Sequence, residues 1–469
     1  MKLTYDVADK PQGMKLVTFA LQQMLAILAA TIAVPMIVGN GMTPAAAMFG
    51  AGAGTIVYQL FTKRKSPVFL GSSFAFLGSM ATAFAGGVSM QLGFLGLILG
   101  AFFAGAVYVL ISIIVNICGV QWLNKLMPPV VIGPTVAIIG LSLAGNAVGD
   151  LQTGDVKVNG EMAASPYAAI VCGLITLVVV MLCASYGKKT MKLIPFIIGI
   201  AVGYAVALVM TLIGNVADIN GLKLIDLDVF SSYMAPDGKI GLETFFSLPK
   251  FTFLEAIKGT GELTANYIFT LLAAYVPVAM VVFAEHVADH KNLSSIIGKE
   301  LLEDPGLNRT LLGDGIGSMV GAFFGGSPNT TYGESIACVA ITGNASTITI
   351  FVAAIGCMIF SFLTPLVAFI DSIPSCVMGG VCISLYGFIA VSGLKMLQKV
   401  DLGINRNLFT ASIILISGIG GLSFQFRDIT ITTVATALIL GIITNRILAK
   451  SEKDDVNPER TLDNPDKRK

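Results

Sequence analysis

Charge is what this sequence has least of. Asp, Glu, Lys and Arg make up 12% of 469 residues, against 55% hydrophobic residues. A soluble chain of this length would form two or three domains with about twice that share of charge, so the composition excludes a soluble protein. Alternation with a period of two does not recur, which excludes a lipid-facing barrel. A net charge of +1 gives no reason to expect nucleic acid as a partner. The seven cysteines, an odd number, lie in or beside apolar runs without paired ligand spacing, so neither a disulfide framework nor a zinc site is expected. With no metal-ligand set, nucleophile constellation or phosphate loop, the chain does not read as an enzyme, and no metal or cofactor is expected. Residues 1–14 are polar and the run after them is long enough to span a bilayer, so no cleaved signal is expected.

What is present is a series of apolar runs of about 18 to 25 residues, the length that crosses a hydrocarbon core of roughly 30 Å as a helix. Hydropathy with Gly, Pro and charge punctuation predicts an all-α polytopic membrane protein of about fourteen segments, two of them interrupted. The first seven fall near 16–38, 44–62, 68–84, 92–117, from Pro128 onward, 167–184 and 193–213, with an amphipathic stretch at 122–125. A polar, acid-containing linker follows. The second seven begin near Tyr267 and Leu307, continue through the stretch around Pro328 to Glu334, and then cover 348–370, 375–391, 408–424 and 429–443 before a charged tail.

Counting loops alternately puts Lys63 to Lys65, Lys188, Lys189, Lys192, the 291–309 and 395–406 loops and the tail on one side, with Asp150, Asp155, Glu161 and the linker on the other. By the positive-inside bias both termini are cytoplasmic, which requires an even number of crossings. The halves also resemble each other. Ser66-Pro67 with Gly71-Ser72 matches Ser327-Pro328 with Gly333 and Ser335, and Pro128 with Gly133 matches Pro374 with Gly379. Seven segments per half is odd, so the repeats are inverted, and paired Gly/Pro-broken segments (the third and tenth) point to a secondary transporter with its site between them.

Four acidic residues sit in or beside segments eight to ten: Glu285, Asp289, Asp314 and Glu334. Glu285 and Asp289 are four apart and share a helix face. An ionised carboxylate at membrane depth costs several kcal/mol unless it is protonated or meets a hydrogen-bond donor, and that link between proton and ligand is what a symporter needs. Plainer readings exist: Glu285, Asp289 and His290 at a membrane interface, Asp314 as a cap near Gly313 and Gly315, Pro328 with Gly333 as a simple kink. Asn329 to Tyr332 nevertheless has poor helix propensity, and an extended piece there would free amide groups to face a ligand. Phe74 lies on the corresponding piece of the first half.

At these residues the sequence resembles the nucleobase-ascorbate transporter family, and within it the bacterial uracil permeases. The resemblance is carried along nearly the whole chain by Gly71-Ser-Ser-Phe-Ala-Phe76, Ala284-Glu-His-Val287, Asp304-Pro-Gly-Leu307 and Pro328-Asn-Thr-Thr-Tyr-Gly-Glu334. It implies a seven-plus-seven inverted repeat of two domains: a core from residues 15–118 and 263–371, and a gate from 119–215 and 372–447. The tails are then 1–14 and 448–469, and the extracytoplasmic linker 216–262. It further implies a homodimer in the bacterial inner membrane that imports a base, most plausibly uracil, together with a proton. Glu285 and Glu334 would accept hydrogen bonds from the base, the amides at Phe74 and Gly333 would reach its carbonyl oxygens, and Tyr332 would complete the site. Glu285, Asp289, His290, Asp314 and Glu334 are the candidates for proton coupling. Three departures stand out. Ser335 and Ala337 replace the family's usual Asn and Gly, Asp289 stands where the uracil branch has His, and Asp289 with Asp314 resembles the purine and xanthine carriers. Xanthine is therefore the alternative substrate, with an anion exchanger or channel on the same repeat as a further one.

Overall fold

The computed structural model describes residues 3–119, 127–158, 161–232, 240–398, 400–426 and 429–449. The amphipathic stretch expected at 122–125 and all but the first two residues of the tail lie outside them. The first half runs α1 (Met14–Val38), α2 (Pro44–Phe61), strand β1 (Leu70–Ser72), a single 3-10 turn (Phe74–Phe76), α3 (Leu77–Ala83), α4 (Met90–Cys118), α5 (Pro129–Ser142), α6 (Ala144–Leu151), the hairpin β2 (Lys157–Val158) and β3 (Glu161–Met162), α7 (Pro166–Tyr186), the short α8 (Lys189–Leu193) and α9 (Pro195–Val216). The second half runs α10 (Ala265–Ile297), α11 (Leu307–Gly325), β4 (Asn329–Thr331), α12 (Gly333–Thr342), α13 (Thr347–Phe360), α14 (Thr364–Asp371), α15 (Ser375–Leu397), α16 (Asn405–Ile419), the hairpin β5 (Phe424–Phe426) and β6 (Ile429–Ile431), and α17 (Thr433–Ile447). Among the described residues, seven helices are long and apolar enough to cross a membrane by themselves.

The two interruptions expected in the third and tenth segments are strands, and they pair with each other. Leu70, Gly71 and Ser72 lie antiparallel to Thr331, Thr330 and Asn329. Each strand thereby satisfies backbone groups that an extended piece at membrane depth would otherwise leave unpaired. Two boundaries differ from expectation. The run at 348–370 is broken between α13 and α14, because the linker docks there: Ser247 N donates to Phe362 O and Thr364 N to Phe245 O. The run from 429 opens as a strand, with its helix starting only at Thr433.

Glycine sets how closely the helices approach. A Cβ on Gly54 would stand 2.6 Å from Gly317 O, and one on Gly50 2.4 Å from Gly321 O, so α2 and α11 touch backbone to backbone. The other half repeats this device, with Gly140 of α5 against Tyr386 O of α15 and Gly393 against Gly133 O. Small residues of this kind are what lets helices pack where lipid supplies no hydrophobic drive.

The amino-terminal residues form a strap over one end of this framework. Thr4 N donates to Gly343 O (2.7 Å), Ala345 N to Tyr5 O (2.9 Å) and Thr347 N to Val7 O (3.2 Å). Lys299 Nζ pairs with both carboxylate oxygens of Asp6 at 2.7 and 2.8 Å. The bond from Lys299, with that from Val7 N, holds the Asp6 carboxyl below its ordinary value. A lowered folded value means the contribution is present at neutral pH and is lost as pH falls through that value. Both side chains are 46% exposed, so it stays below about 1 kcal/mol. In Lys299→Ala the strap is expected to open at higher pH than in the parent, seen as faster hydrogen exchange at Ala345 and Thr347. Identical exchange at every pH would show that the ion pair does not hold it.

Candidate functional site

The sheet of β1 and β4 lies beside a cavity of about 430 Å³. Its floor comes from the broken segments and α10: Ser73, Phe74, Thr331, Gly333, Glu334 and Glu285. Asp289 lines it as well, and its Oδ2 accepts a hydrogen bond from Thr331 Oγ1 at 2.7 Å. The facing wall is apolar, with Val136 and Ile139 from α5 and Leu385, Phe388 and Ile389 from α15. The mouth is reached past Lys192 of α8 and Met396 near the end of α15.

Local sequence explains why the floor is polar. Phe74 opens its 3-10 turn and Gly333 opens α12, so neither amide has an acceptor within its own helix. Two helix amino ends therefore converge on one space, where their dipoles favour electron-rich atoms. A Cβ on Gly333 would meet nothing within 4 Å, so its backbone is open to the cavity. Tyr332 is turned the other way for much of its length. Its hydroxyl donates to Ser72 O, and its ring fills the space over Gly71, where a Cβ would lie 2.4 Å from the ring. It braces the strand pair as well as lining the cavity. Ser335, directly after Glu334, accepts from Phe69 N (3.0 Å) and from Gln23 Nε2, tying α12 to β1 and α1.

The expected site residues thus divide. Glu285, Glu334, Gly333, Phe74, Tyr332 and Asp289 come together in the cavity. His290 and Asp314 do not. Both are fully buried on the far side of α10, His290 against Tyr58 and Ser66 and Asp314 against His286 Nδ1 at 2.7 Å. Sequence reasoning had passed over His286 and Thr331. His286 is marked in the sequence by an acid-histidine pair repeated four residues apart, Glu285-His286 and Asp289-His290, whereas Thr331 has no signal beyond its place in the extended piece.

A second cavity, of about 350 Å³, lies on the other side of Phe74, Ala75 and Ile139, which line both. Hydroxyls of Ser79, Thr82, Ser142 and Thr432 line it together with apolar side chains such as Leu77, Leu143 and Val278. Phe74 meets Tyr386 edge to face at 5.9 Å and closes this layer.

Half-helices paired through a short sheet, with their amino ends beside carboxylates in one cavity, define a multi-pass membrane carrier built on an inverted repeat. The transmembrane domain of the cyanobacterial bicarbonate transporter BicA shares the fold, with a TM-score of 0.61 over 92% of this chain and 97% of that one at 15% identity. The murine Slc26a9 anion transporter in the inward-facing state does so too, with a TM-score of 0.62 over 95% and 69% at 11% identity. Sequence places the chain more closely. Residues 14–426 match the Permease family. The chain is 37% identical over 451 residues to the uracil permease of Bacillus caldolyticus, covering 95% of each chain, and 36% identical over 468 residues to that of Bacillus subtilis (strain 168), covering 98% and 99%. The uracil permease of Escherichia coli (strain K12) is 33% identical over 438 residues, covering 93% and 92%. The chain belongs to the nucleobase-ascorbate transporter family, a family of transporters rather than enzymes.

Proposed function

We propose that this protein imports uracil together with a proton. The observation that carries the reading is the convergence of Glu285, Glu334 and the free amides of Phe74 and Gly333 on one cavity. Uracil offers two ring N–H donors and two carbonyl acceptors, so two carboxylates and two amides answer it group for group without a counter-charge. The relatives named as uracil permeases support the same base. Protonation within the group Glu285, Asp289 and Glu334 links the proton gradient to binding, since the two N–H donors of the base satisfy only two of the three carboxylates and the remaining one needs a proton.

In this reading the carrier is a homodimer in the bacterial inner membrane with cytoplasmic termini. Residues 15–118 and 263–371 form a core that moves against a gate of 119–215 and 372–447. The cavity past Lys192 opens to the cytoplasm, the side to which the lysine-rich loops belong. Asp289 on the cavity wall favours one second reading, xanthine. Three carboxylates and one lysine around the cavity speak against an anion as cargo.

Labelled uracil should concentrate in proteoliposomes only under an inward proton gradient, and unlabelled uracil should compete far better than xanthine. Equilibration without concentration would make the protein a passive pore. Stronger competition by xanthine would transfer the assignment to the purines. Thermal stabilisation across a panel of bases ranks the ligands independently, because a ligand that binds only the folded carrier raises its apparent stability.

A further inference from the structure

Helix α10 carries the same pair of residues on two successive turns, an acid followed by a histidine. Neighbours in a helix are about 100° apart in azimuth. Glu285 and Asp289 accordingly face the cavity, while His286 and His290 face the helices behind it. Their rings lie 4.1 Å apart, centroid to centroid.

Hydrogen-bond bookkeeping fixes the protons of both rings. Thr310 Oγ1 donates to Leu307 O at 3.1 Å, so its oxygen receives the bond from His286 Nε2 at 3.0 Å, and Nε2 carries hydrogen. His286 Nδ1 then faces Asp314 Oδ2 at 2.7 Å with one proton between them. The pair is neutral as a whole. Withdrawing that proton leaves an uncompensated buried charge, and so does adding a second. His290 Nδ1 can only donate to its acceptor, His286 O, at 2.8 Å. Its Nε2 meets the hydroxyls of Tyr58 (2.7 Å) and Ser66 (3.3 Å), which also bond each other at 2.8 Å, so one of their two hydrogens is left for Nε2, and among the described residues no carboxylate is its partner. An imidazolium there would be a buried charge without a counter-ion. The titratable groups facing the two rings are Tyr58 from α2, Tyr108 from α4 and Asp314 from α11, with Glu285 and Asp289 on α10 itself and Glu334 across the cavity.

We propose that His286 and His290 are positioning residues, a backing ladder of fixed tautomer and fixed proton count that sets the rotation of α10 and so aims Glu285 and Asp289 into the cavity. The coupling proton is left to the cavity carboxylates, and the His286–Asp314 pair keeps its single shared proton through the cycle. What the ladder positions rests on the transport reading; the state of its rings does not.

The two histidines are the only ones in the chain, so 15N-histidine labelling of the full-length protein reports the ladder alone. Across about pH 5 to 8, where an ordinary histidine titrates, both rings should keep unchanged nitrogen shifts, with His290 protonated at Nδ1, and uracil should not alter them. A ring that becomes doubly protonated in that range, or changes tautomer when uracil binds, overturns the proposal. Uracil affinity against pH supplies the second arm. Asp314→Asn and His290→Gln should weaken binding about tenfold, the equivalent of one hydrogen bond, by the same factor at every pH. A flattened pH profile in either would make that group the coupling site. If the parent protein binds no uracil at any pH, the uracil reading falls, and the nitrogen shifts still decide the ladder.

Discussion

Glu334→Ala is expected to weaken uracil binding roughly 10- to 150-fold, the range set by losing a hydrogen bond to a charged acceptor, worth about 1.5 to 3 kcal/mol. The geometry makes the loss specific. Glu334 occupies the first turn of α12, beside the open amide of Gly333, so a base bound as proposed would meet an acceptor and a donor from adjacent residues. Alanine keeps the helix and removes only the acceptor. Glu334→Gln, which retains one carbonyl oxygen, should lose less affinity but should no longer respond to pH through that position. Glu285→Ala should match Glu334→Ala in direction, because Glu285 approaches the same space from α10. Calorimetric titration of purified variants, with uptake measured in parallel, is the check. Unchanged affinity in both alanine variants would remove the base from this cavity.

Gly321→Ala is expected to disrupt the core around the strand pair. A Cβ there would lie 2.1 Å from Asn329 Nδ2, and that nitrogen is committed to Gly50 O at 2.9 Å. The side chain of Asn329 thus sits between α2 and α11 at the first residue of β4, opposite Ser72. One methyl group displaces the amide, breaks the bond to Gly50 and shifts β4. Overpacking costs about 1 to 3 kcal/mol and the orphaned carbonyl a further 1 to 3. Uptake should fall with stability, since Thr331 and Gly333 follow Asn329 directly. Gly78→Ala is the control: nothing lies within 4 Å of a Cβ there, so its melting temperature should not fall. Equal stability of the two variants would show that α2 and α11 have more room than the structure gives them.

Much of this was legible because membrane proteins advertise their costs. Pro328, Gly333 and Glu334 are out of place in an apolar run, and Ser66 with Gly71 echoes them, so the broken segments and the cavity floor could be read directly. Pairing between the strands could not. Three-residue strands leave no periodicity, and their register depends on Asn329 reaching a helix 279 positions earlier. Where the two histidines face could not be read either. Apolar character in the sequence stops near Ala288, whereas α10 continues to Ile297, and the partners of the two rings on α2 and α11 come only with tertiary structure. The apolar wall of α5 and α15 carries no chemical signature that separates it from any other packed face.

The layer of Phe74, Ala75 and Ile139 that parts the two cavities also has an electrical meaning. If the two cavities open to opposite faces of the membrane, solvent entering both would bring the two bulk potentials close to either face of the residues they share. The membrane voltage, worth about 2.3 kcal/mol per charge for each 100 mV, would then fall across that layer instead of along the whole height of the bilayer. Glu334 and Asp289 sit at the potential of the compartment to which their cavity opens. In the proposed cycle a proton carried by them would cross the field only when the layer itself changed sides, so voltage would act on the rearrangement of the carrier and leave the binding of the base almost untouched.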